Sequence, residues 1–260
     1  MGKIIAIANQ KGGVGKTTTS VNFAACIAEQ GYQTLLVDLD PQGNATSGFG
    51  INKKTLPQSI YHVLVEDTPI QEVITPTPYP NIKVVPANID LAGAEVELVK
   101  KNKREYQLKE ALAQVAGEYD YIIIDCPPSL GLLTINAMAA CHSVLVPLQC
   151  EYYALEGLSQ LTNTIRQVKK MMNSQLELQG ILLTMFDGRT NLSMQVVEEV
   201  KKFFPQKVYQ TVIPRNIRLS EAPSYGKPVI DYDKSSRGAK AYREFTKEFL
   251  HYEKGEQNRG

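Results

Sequence analysis

No apolar run in this 260-residue sequence approaches the roughly 20 residues needed to span a bilayer. The N-terminus lacks the charged, apolar and small-residue layout of a signal segment, and these two absences predict a cytoplasmic protein. The four cysteines, Cys26, Cys126, Cys141 and Cys150, show no C-x-x-C spacing. They read as core thiols in a reducing compartment rather than as a zinc, iron–sulfur or disulfide framework. Charge of one sign is also missing: 28 basic residues against 27 acidic ones leave +1. That balance argues neither for nor against nucleic acid, because local clustering decides. Internal repeats and low-complexity tracts are absent. What remains, 43% hydrophobic and 21% charged, suits one globular α/β domain with a sizeable core.

The most informative segment lies near the start. The apolar run Ile4-Ile5-Ala6-Ile7-Ala8 is followed by NQKGGVGKTTT from Asn9 to Thr19 and then by a helix-forming stretch. That order is a phosphate-binding loop in its working context. Gly12, Gly13 and Gly15 leave no side chain between backbone N–H groups and an incoming anion, and the next helix adds the positive end of its dipole. Lys16 is placed to reach the β- and γ-phosphates, and the Thr17 hydroxyl to ligate Mg²⁺. The usual pattern also asks for a glycine where this chain has Gln10, and a second lysine, Lys11, precedes the glycine pair. A flexible cation inside a phosphate loop needs something anionic to contact.

Along the chain, short β-branched or leucine-rich runs alternate with helical patterns. Strands are expected at 4–8, 34–37, 82–85, 121–124, 143–147 and 180–185, and helices at 16–30, 108–116, 131–140, 155–172, 192–203 and 238–251. The expected fold class is α/β: a doubly wound, mostly parallel sheet with helices on both faces and ligand at the carboxyl ends of the strands. The proline-bearing stretches 48–81 and 212–233 are less regular. A single domain over residues 1–254 and a polar, disordered tail over 255–260 are expected.

Two acidic motifs fall at strand ends. Tyr121-Ile122-Ile123-Ile124-Asp125 delivers a carboxylate to the sheet edge before Cys126-Pro127-Pro128 stops the strand, which suits Asp125 to the Mg²⁺ hydration shell. Leu35-Leu36-Val37-Asp38-Leu39-Asp40-Pro41-Gln42-Gly43 ends in two acids. Asp40 is assigned to orient or polarise the attacking water and to stand near the metal, and Asp38 to support the metal or the turn. Strand-end aspartates often only cap turns, but the phosphate loop beside them favours the functional reading.

Lys11-Gly12-Gly13-Val14-Gly15-Lys16-Thr17-Thr18, Asp38-Leu39-Asp40-Pro41-Gln42-Gly43-Asn44 and Ile124-Asp125-Cys126-Pro127-Pro128 resemble the deviant Walker motifs of the ParA/MinD ATPases. Glu151-Tyr152-Tyr153-Ala154-Leu155-Glu156-Gly157-Leu158 and Pro214-Arg215-Asn216-Ile217-Arg218-Leu219-Ser220-Glu221-Ala222-Pro223-Ser224 are similar to the chromosomal ParA (Soj) branch. The likeness runs from about Gly2 to Tyr242. It implies a P-loop NTPase of the deviant Walker A type: a weak, partner-stimulated ATPase whose cofactors are ATP and Mg²⁺ and which forms a nucleotide-sandwich dimer. It implies that Lys11 reaches the phosphates of the other subunit, so that Lys11, Lys16 and Asp40 are catalytic and Thr17, Asp40 and Asp125 serve the metal. Residues Lys11 to Thr18 are to hold phosphates, and Pro214, Arg215 and Asn216 are to line the adenine. A cation supplied in trans would both bind two facing ATP–Mg assemblies and stabilise charge during phosphoryl transfer.

The resemblance further implies that the ATP-bound homodimer binds double-stranded DNA without sequence preference, on the nucleoid. A ParB-type partner would stimulate hydrolysis and release it, and control of replication initiation is a further role. From Arg189 to Lys254 basic residues outnumber acidic ones, and Arg189 and Arg218 are the preferred DNA contacts. A MinD-like membrane ATPase is the alternative. It would need a basic amphipathic C-terminal helix, whereas the Phe245/Phe249 stripe with mixed charges reads as packed on the domain, so no stable membrane binding is expected. An iron–sulfur reductase lacks a matched cysteine pair here, and an ATP-dependent biosynthetic ligase lacks a sign of a second substrate pocket. With no room for a helix-turn-helix domain before Lys3, sequence-specific repression by that route is not expected.

Overall fold

The computed structural model describes residues 2–151 and 154–257. Tyr152 and Tyr153 of the branch-specific motif, and the last three residues of the expected tail, lie outside the described residues. Seven strands form one sheet: β1 (Lys3–Ile7), β2 (Thr34–Asp38), β3 (Thr75–Pro76), β4 (Ile82–Val85), β5 (Tyr121–Asp125), β6 (Ser143–Gln149) and β7 (Glu177–Thr184). Their order is β3-β4-β2-β5-β1-β6-β7, and every neighbour pair is parallel except the β3–β4 pair. The mostly parallel, doubly wound sheet expected from the sequence is therefore present.

The continuous apolar runs follow from burial on both faces. Along β1 and into the loop, Ile4, Ala6 and Ala8 enter one core while Ile5 and Ile7 enter the other, and on β5 Ile122 and Ile124 oppose Tyr121 and Ile123 in the same way. All four cysteines are free and buried in these cores. Both sheet edges are blunted. At one, β3 is two residues long and contains Pro76. At the other, β7 bonds to an irregular segment, with Ile181 N–H donating to Lys207 O at 2.6 Å and Ile213 N–H to Leu183 O at 2.8 Å.

The stretch 48–81 is more regular than its prolines suggest, holding helices Ile60–Val65 and Ile70–Val73 as well as β3. The first of these starts at Ser59, whose N–H donates to His62 Nδ1 at 3.1 Å, a capping pair in which histidine stands where glutamate or glutamine is customary.

Two helices matter most for the site. Helix Lys16–Glu29 follows the phosphate loop, and helix Arg237–Gln257 lies against it. Phe245 and Phe249 are fully buried, with ring centroids 4.9 and 5.0 Å from Phe23 on the first helix. Burying each ring fully contributes roughly 1.5–3 kcal/mol, so the aromatic stripe is a packing surface. Four polar bonds reinforce this packing, one of them from Val229 in the short helix Val229–Tyr232 just before the last helix. Tyr242 Oη lies 3.1 Å from Thr19 Oγ1, Val229 N–H donates to Asn22 Oδ1 at 2.7 Å, and Arg243 donates twice to Glu29 at 2.8 Å. The last helix continues to Gln257, three residues into the segment expected to be a disordered tail. Among the described residues no helix is long and apolar enough to cross a membrane.

Candidate nucleotide site

The site lies where β1, β2 and β5 end side by side. Register pairs Ile7 of β1 with Asp125 of β5, and Asp38 of β2 with the same Asp125, so one rim collects the phosphate loop and both acidic motifs. Within the loop, Gly13 (φ 75°) and Gly15 (φ 89°) take left-handed conformations that only glycine adopts without strain, and Gly15 is the N-cap of helix Lys16–Glu29. Gly12 differs. A Cβ there would meet nothing closer than Pro128 Cβ at 3.9 Å, so the fold itself does not require glycine, whereas a closely approaching anion would.

Long-range bonds hold the loop open. Buried Asn9 donates to Pro147 O at the end of β6 (2.8 Å) and accepts from Lys11 N–H (3.0 Å). Buried Thr184, ending β7, donates from its hydroxyl to Val14 O at 2.8 Å. A loop that continues β1 and is pinned to β6 and β7 as well is preorganised for its ligand. Lys16 is buried and donates to Lys11 O at 2.9 Å, across the mouth of the loop. Burial pushes its pKa down, while Asp125, Cys126 and Asp40 oppose that shift. Lys11 is half exposed and its ammonium forms an ion pair with Glu151.

The acids divide by environment. Asp125 is fully buried; Ser20 Oγ donates to its Oδ1 at 2.7 Å, while Oδ2 has no hydrogen-bond partner among the described residues. Burial and the neighbouring Asp38 push its pKa up, and the Ser20 and Thr17 hydroxyls pull it down. An orphaned buried carboxylate oxygen beside a threonine hydroxyl fits a hydrated Mg²⁺, the ion expected of this pair. Asp38, also fully buried, is already satisfied: Oδ2 accepts from Thr46 N–H and Oγ1 at 2.7 Å each, and Oδ1 from Asp40 N–H at 3.2 Å. These bonds tie it to the turn. Asp40 is 8% exposed and accepts one bond, from Gln42 N–H at 2.9 Å to Oδ1. Gly43 then closes the turn, where a Cβ would collide with Ala87 O at 2.6 Å.

Burial, followed by hydrogen bonds that only partly offset it, also raises the Asp38 pKa. A carboxyl whose folded-state pKa is raised stabilises the fold fully below its unfolded value, here 3.8, and loses that contribution as pH rises through the folded-state value. The nucleotide-free protein should therefore melt at lower temperature as pH climbs from mildly acidic to alkaline. Asp38→Asn, which removes one carboxylate of the pair, should flatten that slope. A calorimetric pH series with equal slopes for the two proteins would count against the assignment.

Pro214 bridges to Phe186 just beyond β7, and Phe186 N–H donates to Ile213 O at 3.0 Å, so the expected adenine loop lies at the strand end that carries Thr184. Asn216 Oδ1 accepts from Arg218 N–H at 3.0 Å and so caps helix Ile217–Glu221. A cavity of about 360 Å³ opens beside Thr17 and Thr18, walled by Asn22, Asn44, Ala222, Pro223, Ser224 and Lys227, and not by Pro214, Arg215 or Asn216.

The two arginines chosen as DNA contacts are exposed but not free. Arg189 donates to Asp187 at 2.8 and 2.6 Å and holds that carboxyl down to about 2. Arg218 pairs with Glu221 at 2.7 Å and with Asp233 at 3.3 Å. Exposed Arg215, Lys234, Arg237 and Lys240 have no acidic partner within 4 Å among the described residues. Asn9, Ser20, Thr46 and Thr184 support the site and were not singled out by sequence reasoning. Asn9 carried a visible signal, sitting inside the loop motif.

A family model described as an AAA domain matches residues 2–178. The sporulation initiation inhibitor protein Soj of Bacillus subtilis is 64% identical over 248 residues, 95% of this chain and 98% of that protein. The chromosome partitioning protein ParA of Myxococcus xanthus is 58% identical over 250 residues, covering 96% and 88%. Among solved structures, a Mycobacterium smegmatis protein named cobyrinic acid a,c-diamide synthase, with bound ADP and magnesium, superposes with a TM-score of 0.86 at 43% identity over 98% of this chain and 97% of that one. With the phosphate loop, the paired strand-end acids and this level of identity together, the chain belongs to the ParA/Soj family of P-loop ATPases.

Proposed function

We propose that this protein is an ATP-dependent chromosome-partitioning switch. ATP with Mg²⁺ drives a nucleotide-sandwich homodimer, the dimer binds DNA without sequence preference, and a ParB-type partner stimulates a weak hydrolysis that releases it. The observation that carries the reading is the division of labour between the two loop lysines. Lys16 is buried and bonded within its own loop, whereas the Lys11 ammonium is half exposed and held by a surface ion pair with Glu151, within reach of a second subunit. The partition names of the relatives at 64% and 58% identity support the same reading, as does the ADP and magnesium bound to the M. smegmatis protein.

In this reading the backbone N–H groups from Gly12 to Thr18 cradle the phosphates and Lys16 leaves Lys11 O for the γ-phosphate. Pro214, Arg215 and Asn216 line the adenine. Thr17 and Asp125 hold Mg²⁺, with Asp40 nearby; the ion neutralises charge that develops on the phosphates. Asp40 orients the attacking water, and Lys11 of the partner subunit stabilises transferring charge. The protein works in the cytoplasm, on the nucleoid. The synthase name of the M. smegmatis protein favours an ATP-dependent ligase as a second reading, but it comes at 43% identity, below the partition relatives.

Sizing the protein with ADP and with ATP, with and without DNA, tests the proposal: only ATP should give a dimer, and only the dimer should hold DNA. Arg189→Glu should leave ATP-driven dimerisation intact. Next to Asp187 it places a second acid where a phosphate should sit, so DNA affinity should fall more than tenfold. The salt slope should drop by about 2 for a dimer that loses one phosphate contact per subunit. DNA retention equal to wild type across a salt series would remove Arg189 from the contact surface.

A further inference from the structure

We propose that Glu151 is a latch on Lys11. Its carboxylate keeps the Lys11 ammonium on its own subunit until the ATP dimer forms, and dimerisation exchanges that ion pair for the phosphates of the partner. The inference rests on the reading of Lys11 as a cation given to a second subunit.

Three groups of Lys11 are engaged within one chain. Its N–H is held by Asn9 Oδ1, its carbonyl by the Lys16 ammonium, and its own ammonium by Glu151. The latch is built into the fold at both ends. Asn9, which fixes the Lys11 backbone, is anchored on Pro147 O of β6, and Glu151 stands two residues past the end of that same strand. Glu151 is itself held by its backbone, its N–H donating to Gln149 O at 2.9 Å and its carbonyl accepting from Ala154 N–H at 3.0 Å, where helix Ala154–Met171 begins. Both ends of the ion pair therefore hang from one strand terminus.

The pair's exposure sets its strength. The Lys11 side chain is 46% exposed and that of Glu151 30%, so water and salt screen the attraction. Such a pair is strong enough to bias a flexible lysine and weak enough to lose it to a multiply charged phosphate. Lys16 undergoes a parallel exchange, leaving Lys11 O when phosphate enters. ATP thus dismantles the hold on the Lys11 carbonyl in one subunit, while the partner's ATP draws away the ammonium. Because a symmetric dimer opens two latches, a modest bias in each monomer is squared in the dimerisation constant.

The experiment compares wild type, Glu151→Gln and Glu151→Asp by sedimentation over an ATP series, with ATPase rates and acylation of Lys11 followed by mass spectrometry without nucleotide. Opening each latch should gain about threefold, so Glu151→Gln should dimerise at about tenfold lower protein concentration. Hydrolysis per fully formed dimer should be unchanged, and Lys11 should be acylated faster than in wild type. Glu151→Asp, with a shorter reach, should fall between the two, and its shift is read alone if the glutamine variant does not fold. A dimerisation constant unchanged or weakened in either variant, while wild type dimerises normally, overturns the latch. Equal acylation of Lys11 in all three proteins does the same. If wild type forms no ATP dimer at all, the partition-switch reading fails first and the latch fails with it.

Discussion

Lys16→Ala should bind ATP at least a hundredfold more weakly than wild type and form no ATP-dependent dimer. The buried ammonium is the loop's own cation, and a charge-assisted contact to a phosphate in a partly desolvated site is worth several kcal/mol when only one partner is removed. Burial already disfavours the charged lysine, so removing it should not unfold the protein. Without phosphate its single hydrogen bond goes to Lys11 O. Isothermal titration with ATP and Mg²⁺, beside a melting curve, separates the two effects. A variant with wild-type stability and ATP affinity within threefold of wild type would show that Lys16 is not the phosphate lysine.

Asp40→Ala should give the opposite pattern: ATP affinity close to wild type, hydrolysis lowered by about 10²- to 10⁴-fold, and a dimer that accumulates because the chemistry stalls. The turn should survive. The side chain supplies one bond to Gln42 N–H, worth about 1 kcal/mol, while Asp38, Thr46 and Ala87 hold the segment independently. Calorimetry in the presence of Mg²⁺ divides the two roles given to Asp40. Loss of ATP binding would make the residue structural, and loss of Mg²⁺ dependence alone would place it on the metal rather than on the water.

The parts of this molecule that could be read beforehand are those in which neighbours in sequence are neighbours in space. Isoleucine runs on both-face-buried strands, glycines with positive φ at positions 13 and 15, and carboxylates at the last positions of β2 and β5 announce themselves locally. The Phe245/Phe249 stripe also gave its burial away, because a spacing of four residues marks one helix face. What stayed hidden is contact across the fold. Asn9 meets Pro147 and Thr184 meets Val14 over separations of 138 and 170 residues, and no window of sequence contains both partners. The pairing of Arg189 and Arg218 stayed hidden for a different reason, since two of their partners lie within three residues. Asp187 is close in sequence, but only the folded turn shows that both its oxygens are taken by Arg189, and Asp233 reaches Arg218 from another element. β3 escaped because two residues ending in proline carry no strand signal of their own.

The packing of the first helix against the C-terminal segment from Val229 onward bears on how the protein is made. Thr19 meets Tyr242 across 223 residues and Asn22 meets Val229 across 207. On the ribosome, the phosphate loop emerges long before the residues that brace its helix. Until synthesis passes Phe249, Thr19 and Phe23 lack their full set of partners, and the nascent helix faces solvent or chaperone with an unfilled apolar side. Translation order itself thus delays a competent nucleotide loop until nearly the whole domain can close around it.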